Sequence, residues 1–479
     1  MAATRRAAAF FDLDRTLLRG ASGPVFTAAL REAGVVPDRP IPGEGLLYKV
    51  FDIVGETLPG MALARQAASF AAGWSADAVV EAATQAAKLL TGQVQPWARQ
   101  LMDEHRAAGR PVVLATTTPF DMVKPFADEL GLDDVIATRY GVDDEGRYTG
   151  SLVDGFVWGT GKIGAVRRWA EANGVDLKQS WAYSDSIYDT PLLSAVGHPT
   201  AVNPDPRLRL FAALRRWPVL HLDVPPGVPK ALGVEPWQAL RPFMRPEAFP
   251  YARFEIGDTA TIPSEGPGIV VANHRSYFDT AAVAVTVART GRSLRFLGKK
   301  EVFDAPVVGW LAKAMGGIRV DRGTGSDEPL KAAARALEAG ELVAMMPQGT
   351  IPRGRAFFEP ELQGRWGAAR LAKMTGAPVI PLGLWGTERV WPRNARLPNV
   401  ANVTNPPLVS VKVGPPVARL TGKDLDRDTR RIMDAIVDLL PPEAKVRREP
   451  TPEELARTLP AGYKGDPDAE VTRRPGSDA

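Results

Sequence analysis

Two carboxylates, Asp12 and Asp14 in the run FFDLDRTLL, close a short apolar stretch from Ala7 to Leu13. A strand sends alternate side chains to opposite faces, so acids two residues apart share one face at its carboxyl end. Paired acids there suit a metal, or a nucleophile with an acid/base neighbour, although a solvated strand end gives the same letters. Further residues narrow the choice. Thr116 follows the apolar run Val112–Ala115 in VVLATTTP, where a hydroxyl can bond a phosphate oxygen. Lys162 opens a helix in GTGKIG, where an ammonium offsets phosphate charge. YSDSIYD then offers Asp185 and Asp189, the former suited to a hard cation.

A second constellation lies in the C-terminal half. NHRSYFD follows the apolar run Gly268–Ala272 and sets His274 five residues before Asp279. A carboxylate on one imidazole nitrogen fixes the tautomer and stabilises the imidazolium, leaving the other nitrogen as a general base. His105, His198 and His221 have no Asp at that spacing. A helix-capping Asp near a half-buried His is the plainer alternative. GGIRVDR then brings Arg322, and MMPQGTIPRG brings Gln348, Gly349, Thr350 and Arg353. A Gly-Thr turn after a strand can present backbone N–H groups to phosphate, and Arg adds planar donors.

Two α/β patterns must position these residues. In the first, short apolar runs alternate with helical stretches, predicting a doubly wound sheet whose site lies at the carboxyl ends of its strands. The alanine-rich segment from Pro24 to Leu90 has helical periodicity and reads as a helical insertion, a cap over about residues 20–91. Prolines cluster between Asp223 and Tyr251, marking a linker at residues 223–250 between a domain at 1–222 and another at 251–440. In the second domain Gly268–Ala272, Leu294–Leu297, Leu342–Met346, Val379–Leu384 and Val409–Val413 read as strands, and Asp428–Leu440 as a last amphipathic helix. Residues 441–479, rich in Pro and mixed charge, are expected to be disordered.

Composition agrees with that plan. At about 100–200 residues per domain, 479 residues exceed a single small module. An apolar fraction of 45% with 24% charged residues excludes wholesale disorder. The net charge of +4 gives no reason to expect nucleic acid. Without cysteine there is no disulfide framework, Cys zinc site or thiol nucleophile. No apolar run approaches the roughly 20 residues that span a bilayer, and the run before Asp12 is too short for an export signal. The expectation is a cytoplasmic protein, peripheral on the inner face of the cell membrane.

The order of the first motifs resembles the haloacid dehalogenase superfamily of phosphatases over about Ala7 to Leu222, closest to the phosphoserine phosphatase branch with its helical cap. The resemblance implies a Rossmann-like fold, with Asp12 as nucleophile forming an aspartyl phosphate and Asp14 as acid and then base. Thr116 and Lys162 would bind the phosphoryl group, and Asp189 would position Lys162 or the metal shell. Mg²⁺ would be held by Asp12, the Asp14 carbonyl and Asp185. Arg15 departs from the pattern, standing where a smaller residue is common.

The second set resembles the glycerolipid acyltransferase family, which includes the 1-acylglycerol-3-phosphate acyltransferases, over about Phe254 to Leu440. It implies acyl transfer from acyl-CoA or acyl-carrier protein to a lysophospholipid acceptor, giving phosphatidic acid. His274 would be the base, Asp279 its orienting partner, and Arg322, Gly349, Thr350 and Arg353 the phosphate contacts. Lys299 and Lys300 are further substrate contacts. Gln348 departs from the family, which usually carries Glu in this turn; the change either retunes acceptor choice or preserves the turn through amide hydrogen bonds. Such substrates imply an anionic membrane surface as partner. The segment Pro236–Arg253, with Trp237, Phe243, Phe249 and several Arg, suits that interface or packing on the second domain, and Val307–Met315 reads as a core helix or the wall of an acyl groove. A different expectation is that the first domain is a noncatalytic sensing or docking module for the acyltransferase.

Overall fold

The computed structural model describes residues 6–37, 56–230, 233–321 and 327–464. The chain divides into two compact units, Met1–Pro226 and Gly227–Ala479. Each is built on its own largely parallel sheet.

In the first unit the strands are β1 (Ala9–Phe11), β2 (Val112–Pro119), β3 (Asp134–Val142), β4 (Tyr148–Val153), β5 (Trp181–Ser184), β6 (His198–Val202) and β7 (Val219–Leu220), in the order β4-β3-β2-β1-β5-β6-β7. Phe10 on β1 stands opposite Val113 on one side and Ala182 on the other, and all three are buried. A strand covered on both faces reads as continuous apolar sequence, which is why AFF is strand despite its brevity. The chain leaves β1 for one half of the sheet and later returns to its other side, so the carboxyl end of β1 is a topological switch point. Among the named strands of this sheet β3 and β4 pair antiparallel and the rest parallel. Cap helices Leu58–Phe70 and Ala76–Thr91 begin at Thr57 and Ser75, whose hydroxyls accept from Gly60 N and Ala78 N. The second of these helices packs against helix Phe120–Glu129.

The second unit contains β8 (Arg253–Ile256), β9 (Gly268–Ala272), β10 (Leu294–Lys299), β11 (Ile318–Val320), β12 (Leu342–Met345), β13 (Val379–Trp385) and β14 (Leu408–Val413) in the order β11-β10-β12-β9-β13-β14-β8. Fully buried β9 is central, with Val270 opposite both Ala344 and Ile380. It too lies between strands reached in opposite directions. β13 and β14 are antiparallel, and β8 runs parallel to β14.

Some expectations need correction. Residues up to 464 of the presumed tail are structured: Thr451 and Glu454 form a reciprocal capping box on helix Pro452–Arg457, and Thr458 accepts from Gly354 N at 2.9 Å. Residues 465–479 lie outside the described residues. Thr116 sits inside β2 rather than beyond it, because the strand continues to Pro119. Helix Pro306–Ala314 is not a core helix, since Trp310 is 66% exposed. In the Pro236–Arg253 segment, Trp237 is buried with its Nε1 donating to Arg292 O at 3.0 Å, and Met244, Phe249 and Tyr251 pack on the same core. That segment is fastened to the sheet, although Phe243 remains exposed.

Candidate functional site

The backbone of Asp12 continues the β1 pairing, donating to Tyr183 O on β5 at 3.0 Å, and then breaks into an irregular turn over Leu13–Leu17. This exposes the acids at the switch point. Lys162, only 1% exposed near the start of helix Thr160–Ala172, donates to Asp12 Oδ1 at 2.9 Å and Asp189 Oδ2 at 2.7 Å. Ser184 Oγ donates to the same Asp189 oxygen at 2.7 Å. The fork thus holds Lys162 against Asp12. Asp14 turns toward the next helix, its Oδ1 accepting from Ser22 N at 2.7 Å. Thr116 Oγ1 accepts from Thr118 N at 3.2 Å, which leaves the hydroxyl proton available to donate.

Burial pushes the Asp12 carboxyl up to about 7, the charge of Lys162 opposing the rise and those of Asp189 and Glu56 adding to it. Asp185 is raised well above the usual carboxylate range by burial and then by Asp12. Burial disfavours charge on Lys162, but Asp12, Asp189 and Glu56 together raise it and keep it protonated. Carboxylates outnumber cations here, which is the donor chemistry a hard divalent ion requires. Among the described residues no group of three or more His, Asp or Glu side chains gathers to hold a metal. A hard cation here would be held by Asp12 and Asp185 with backbone oxygen such as that of Asp14. In this structure Arg15 Nε pairs with Asp185 Oδ2 at 3.0 Å.

Sequence reasoning missed Glu56. Its Oε2 accepts from Ser186 Oγ at 2.6 Å and Trp158 Nε1 at 3.1 Å, and its backbone oxygen accepts from Arg207 at 2.9 Å. One cap residue thereby reaches the acidic cluster. No local spacing signals it.

The second site begins where β9 ends. Asn273 bridges β9 to β13, its Nδ2 donating to Leu384 O at 2.8 Å and its Oδ1 accepting from Leu384 N at 2.7 Å. His274 follows, with Nδ1 2.7 Å from Asp279 Oδ2. That oxygen also accepts from Arg275 N at 2.6 Å and Ser276 N at 2.8 Å, the pattern of an ionised carboxylate at the start of helix Asp279–Ala288. Nδ1 is therefore assigned as the protonated nitrogen, and Nε2 keeps its lone pair.

The turn after β12 supplies the facing wall. Gln348 Oε1 accepts from His274 N at 2.6 Å, so the amide ties this turn to His274. Gly349 has φ 73° and donates to Met346 O at 2.8 Å, a left-handed turn that suits glycine. Thr350 is buried beside it, and the Arg353 guanidinium lies 4.8 Å from the Tyr463 ring centroid. Lys299 ends β10 on the same carboxyl edge of the sheet, while exposed Lys300 starts the following helix. Arg322 lies outside the described residues. Missed from sequence were Asn273 and the pairing of Arg275 with half-buried Glu388 at 3.1 Å. Adjacency to His274 was the available signal.

Comparisons with known proteins follow the same division. The haloacid dehalogenase-like hydrolase family matches residues 9–194, and the acyltransferase family matches residues 253–385. The "Inhibition of morphological differentiation protein" of Streptomyces azureus is 36% identical over 222 residues, 46% of this chain and 80% of that protein. The "Phosphoserine phosphatase SerB1" of Mycobacterium tuberculosis is 34% identical over 236 residues, covering 48% of this chain and 76% of that protein. The crystal structure of the 1-acyl-sn-glycerophosphate acyltransferase PlsC from Thermotoga maritima aligns with 45% of this chain and 81% of its own, at 21% identity and a TM-score of 0.33. This chain belongs to the haloacid dehalogenase-like hydrolase family through its first unit and carries an acyltransferase domain in its second. It is a fusion of two enzyme families, a phosphatase-type hydrolase and an acyltransferase.

Proposed function

We propose that the second unit transfers an acyl group from acyl-CoA or acyl-carrier protein to 1-acylglycerol-3-phosphate, giving phosphatidic acid, and that the first hydrolyses a phosphomonoester. The His274–Asp279 pair at 2.7 Å carries the first reading. His274 Nε2 takes the acceptor hydroxyl proton as the oxygen adds to the thioester carbonyl, whose π electrons move onto oxygen. Collapse restores the carbonyl and expels the thiolate, which takes the proton back from the imidazolium. Asp279 stabilises that imidazolium. The turn Gln348–Gly349–Thr350 with Arg353, and Lys299, Lys300 and Arg322, would hold the anionic substrates. Replacing His274 by Ala is expected to lower acyl transfer to lysophosphatidate by about 100-fold or more, measured with labelled acyl-CoA. Full activity in that variant removes His274 from the base role.

In the first unit Asp12 attacks phosphorus while Asp14 gives its proton to the leaving oxygen. Asp14 then takes a proton from the water that cleaves the aspartyl phosphate. Lys162 and Thr116 hold the phosphoryl oxygens, and Asp189 fixes Lys162. Hydrolases of this family generally use Mg²⁺, and Asp12, the Asp14 carbonyl and Asp185 would hold it, where it would offset charge on phosphate. Aryl phosphate hydrolysis is expected to require Mg²⁺, to stop with chelator, and to fall roughly a thousandfold in Asp12→Asn. An inert wild type across a broad phosphate panel would favour a sensing or docking role, the reading that the Arg15–Asp185 pair supports.

No helix among the described residues is long and apolar enough to cross a membrane. Exposed Val302, Trp310 and Leu311, with exposed Lys300 and Lys313, support peripheral attachment to an anionic surface from which a lysophospholipid is taken.

A further inference from the structure

We propose that the first unit carries a surface of its own for an anionic lipid bilayer, formed by helix Pro206–Arg215 and the turn that follows it, and independent of either activity. The helix is well made. Asp205 Oδ1 accepts from Arg207 N and Leu208 N at 2.8 Å, and Arg216 ends the helix in the left-handed region at φ 56°. Leu208 and Ala212 are fully buried and attach it to the core. Leu210 follows Leu208 by two residues, about 200° round the helix, so it stands on the opposite side, with Leu214 one turn further on. A surface helix usually turns polar residues outward there. This one turns out Leu210 and Leu214, 65% and 76% exposed, with exposed Ala213 between them.

The flanks decide what that apolar crest meets. From Pro206 to Leu222 the chain has four Arg and no Asp or Glu. Arg207 is engaged with Asp205 at 3.2 Å, whereas exposed Arg209, Arg215 and Arg216 pair with no described carboxylate. Trp217 folds back on the helix, its ring centroid 5.3 Å from that of Phe211. Beside them a cavity of about 570 Å³ is lined by Arg215, Arg216, Trp217, His198 and Thr200, among others. The arginine, histidine and threonine side chains can donate to phosphate oxygens. Leucines that leave water for acyl chains, arginines at headgroup level and a half-buried indole are the components of an interfacial helix. A second copy of this chain fits poorly, because a symmetric contact sets Arg against Arg. A nucleic acid would leave the leucines in water.

The chain has no cysteine, so Leu214→Cys places an environment-sensitive nitrobenzoxadiazole label on the crest alone. A second chain, Trp310→Cys, carries the label on the second unit and reports the attachment proposed for that unit. With vesicles of equal parts phosphatidylglycerol and phosphatidylcholine, the label at 214 should shift to the blue and brighten about twofold or more; with phosphatidylcholine alone it should not. Adding Arg216→Gly, which suits the left-handed backbone and removes one cation, should raise the lipid concentration at half-shift about fivefold. A response at 310 with none at 214 overturns the proposal and leaves the second unit's attachment standing. A response at 214 with none at 310 does the reverse. Equal shifts with neutral and anionic vesicles, or an unchanged half-shift in Arg216→Gly, remove the arginines from the contact and overturn the proposal. A blue shift before lipid that grows with protein concentration assigns the crest to a second copy and overturns it as well. Silence at both positions also overturns it, leaving the crest to an acidic protein. Should the Leu214→Cys chain not melt cooperatively, flotation of unlabelled Arg216→Gly with the anionic vesicles decides: recovery equal to wild type overturns the proposal.

Discussion

Arg15 brings its own positive charge to Asp185, the carboxylate proposed to hold a metal. Its Nε lies 3.0 Å from Asp185, its backbone is left-handed at φ 57°, and its carbonyl accepts from Asn203 Nδ2 at 3.3 Å. A hard cation needs that carboxylate free, so the guanidinium competes with it directly. Arg15→Ser is expected to bind Mg²⁺ roughly tenfold more tightly by titration calorimetry, since a hydrogen bond to a charged group contributes about 1.5–3 kcal/mol. Equal or weaker binding would show that the pair does not compete. At this scale the sequence made legible the residues whose partners sit at fixed points of a repeated strand-helix plan: Asp12, Lys162 and Asp189 meet as their motif order implies. Glu56 was illegible because it arrives from the cap through tertiary packing, in an alanine-rich segment without a pattern of its own.

Elements were legible in proportion to their burial. β1, β9 and β13 are buried almost throughout and read as continuous apolar runs, whereas β8 and β11 are half-exposed and carry no such signal. The C-terminal helix was overlooked for a different reason: its capping box was present in TPEE, but the surrounding charge and proline outweighed it. Buried polar links between elements also leave no trace in periodicity. His105, on helix Ala98–Ala107, accepts from Arg110 Nε through Nδ1 at 2.8 Å and lies 2.8 Å from the Tyr183 hydroxyl on β5. The neutral ring satisfies both partners. Burial, and then Arg110, push His105 down from 6.5 to about 4. As pH falls from 6.5 toward 4 the unfolded chain takes up a proton that the folded chain refuses, so stability is lost on acidification. Between pH 7 and 5 the first unit should lose about 1–2 kcal/mol more in wild type than in His105→Gln, read from urea unfolding at each pH. Identical pH dependence in the two proteins would remove His105 as the cause.

For the molecule as a whole, the same device appears twice: a central strand, flanked by strands reached in opposite directions, delivers an acid pair in one unit and a His-Asp pair in the other. Each sheet has its own core, so the groups that set the charge of Asp12 all belong to the first unit, and those that orient His274 all belong to the second. Neither site borrows a described residue from the other. Separate cores and separate sites predict separable chemistry. In the 479-residue chain Asp12→Asn should keep acyl transfer within about twofold of wild type, and His274→Ala should keep phosphatase turnover equally well, because each side chain is held by partners from its own unit. Calorimetry should resolve two unfolding transitions, with Asp12→Asn shifting only one of them. If both activities fall together in either variant while both transitions persist, the sites are energetically coupled and the two-enzyme account must include communication between the units.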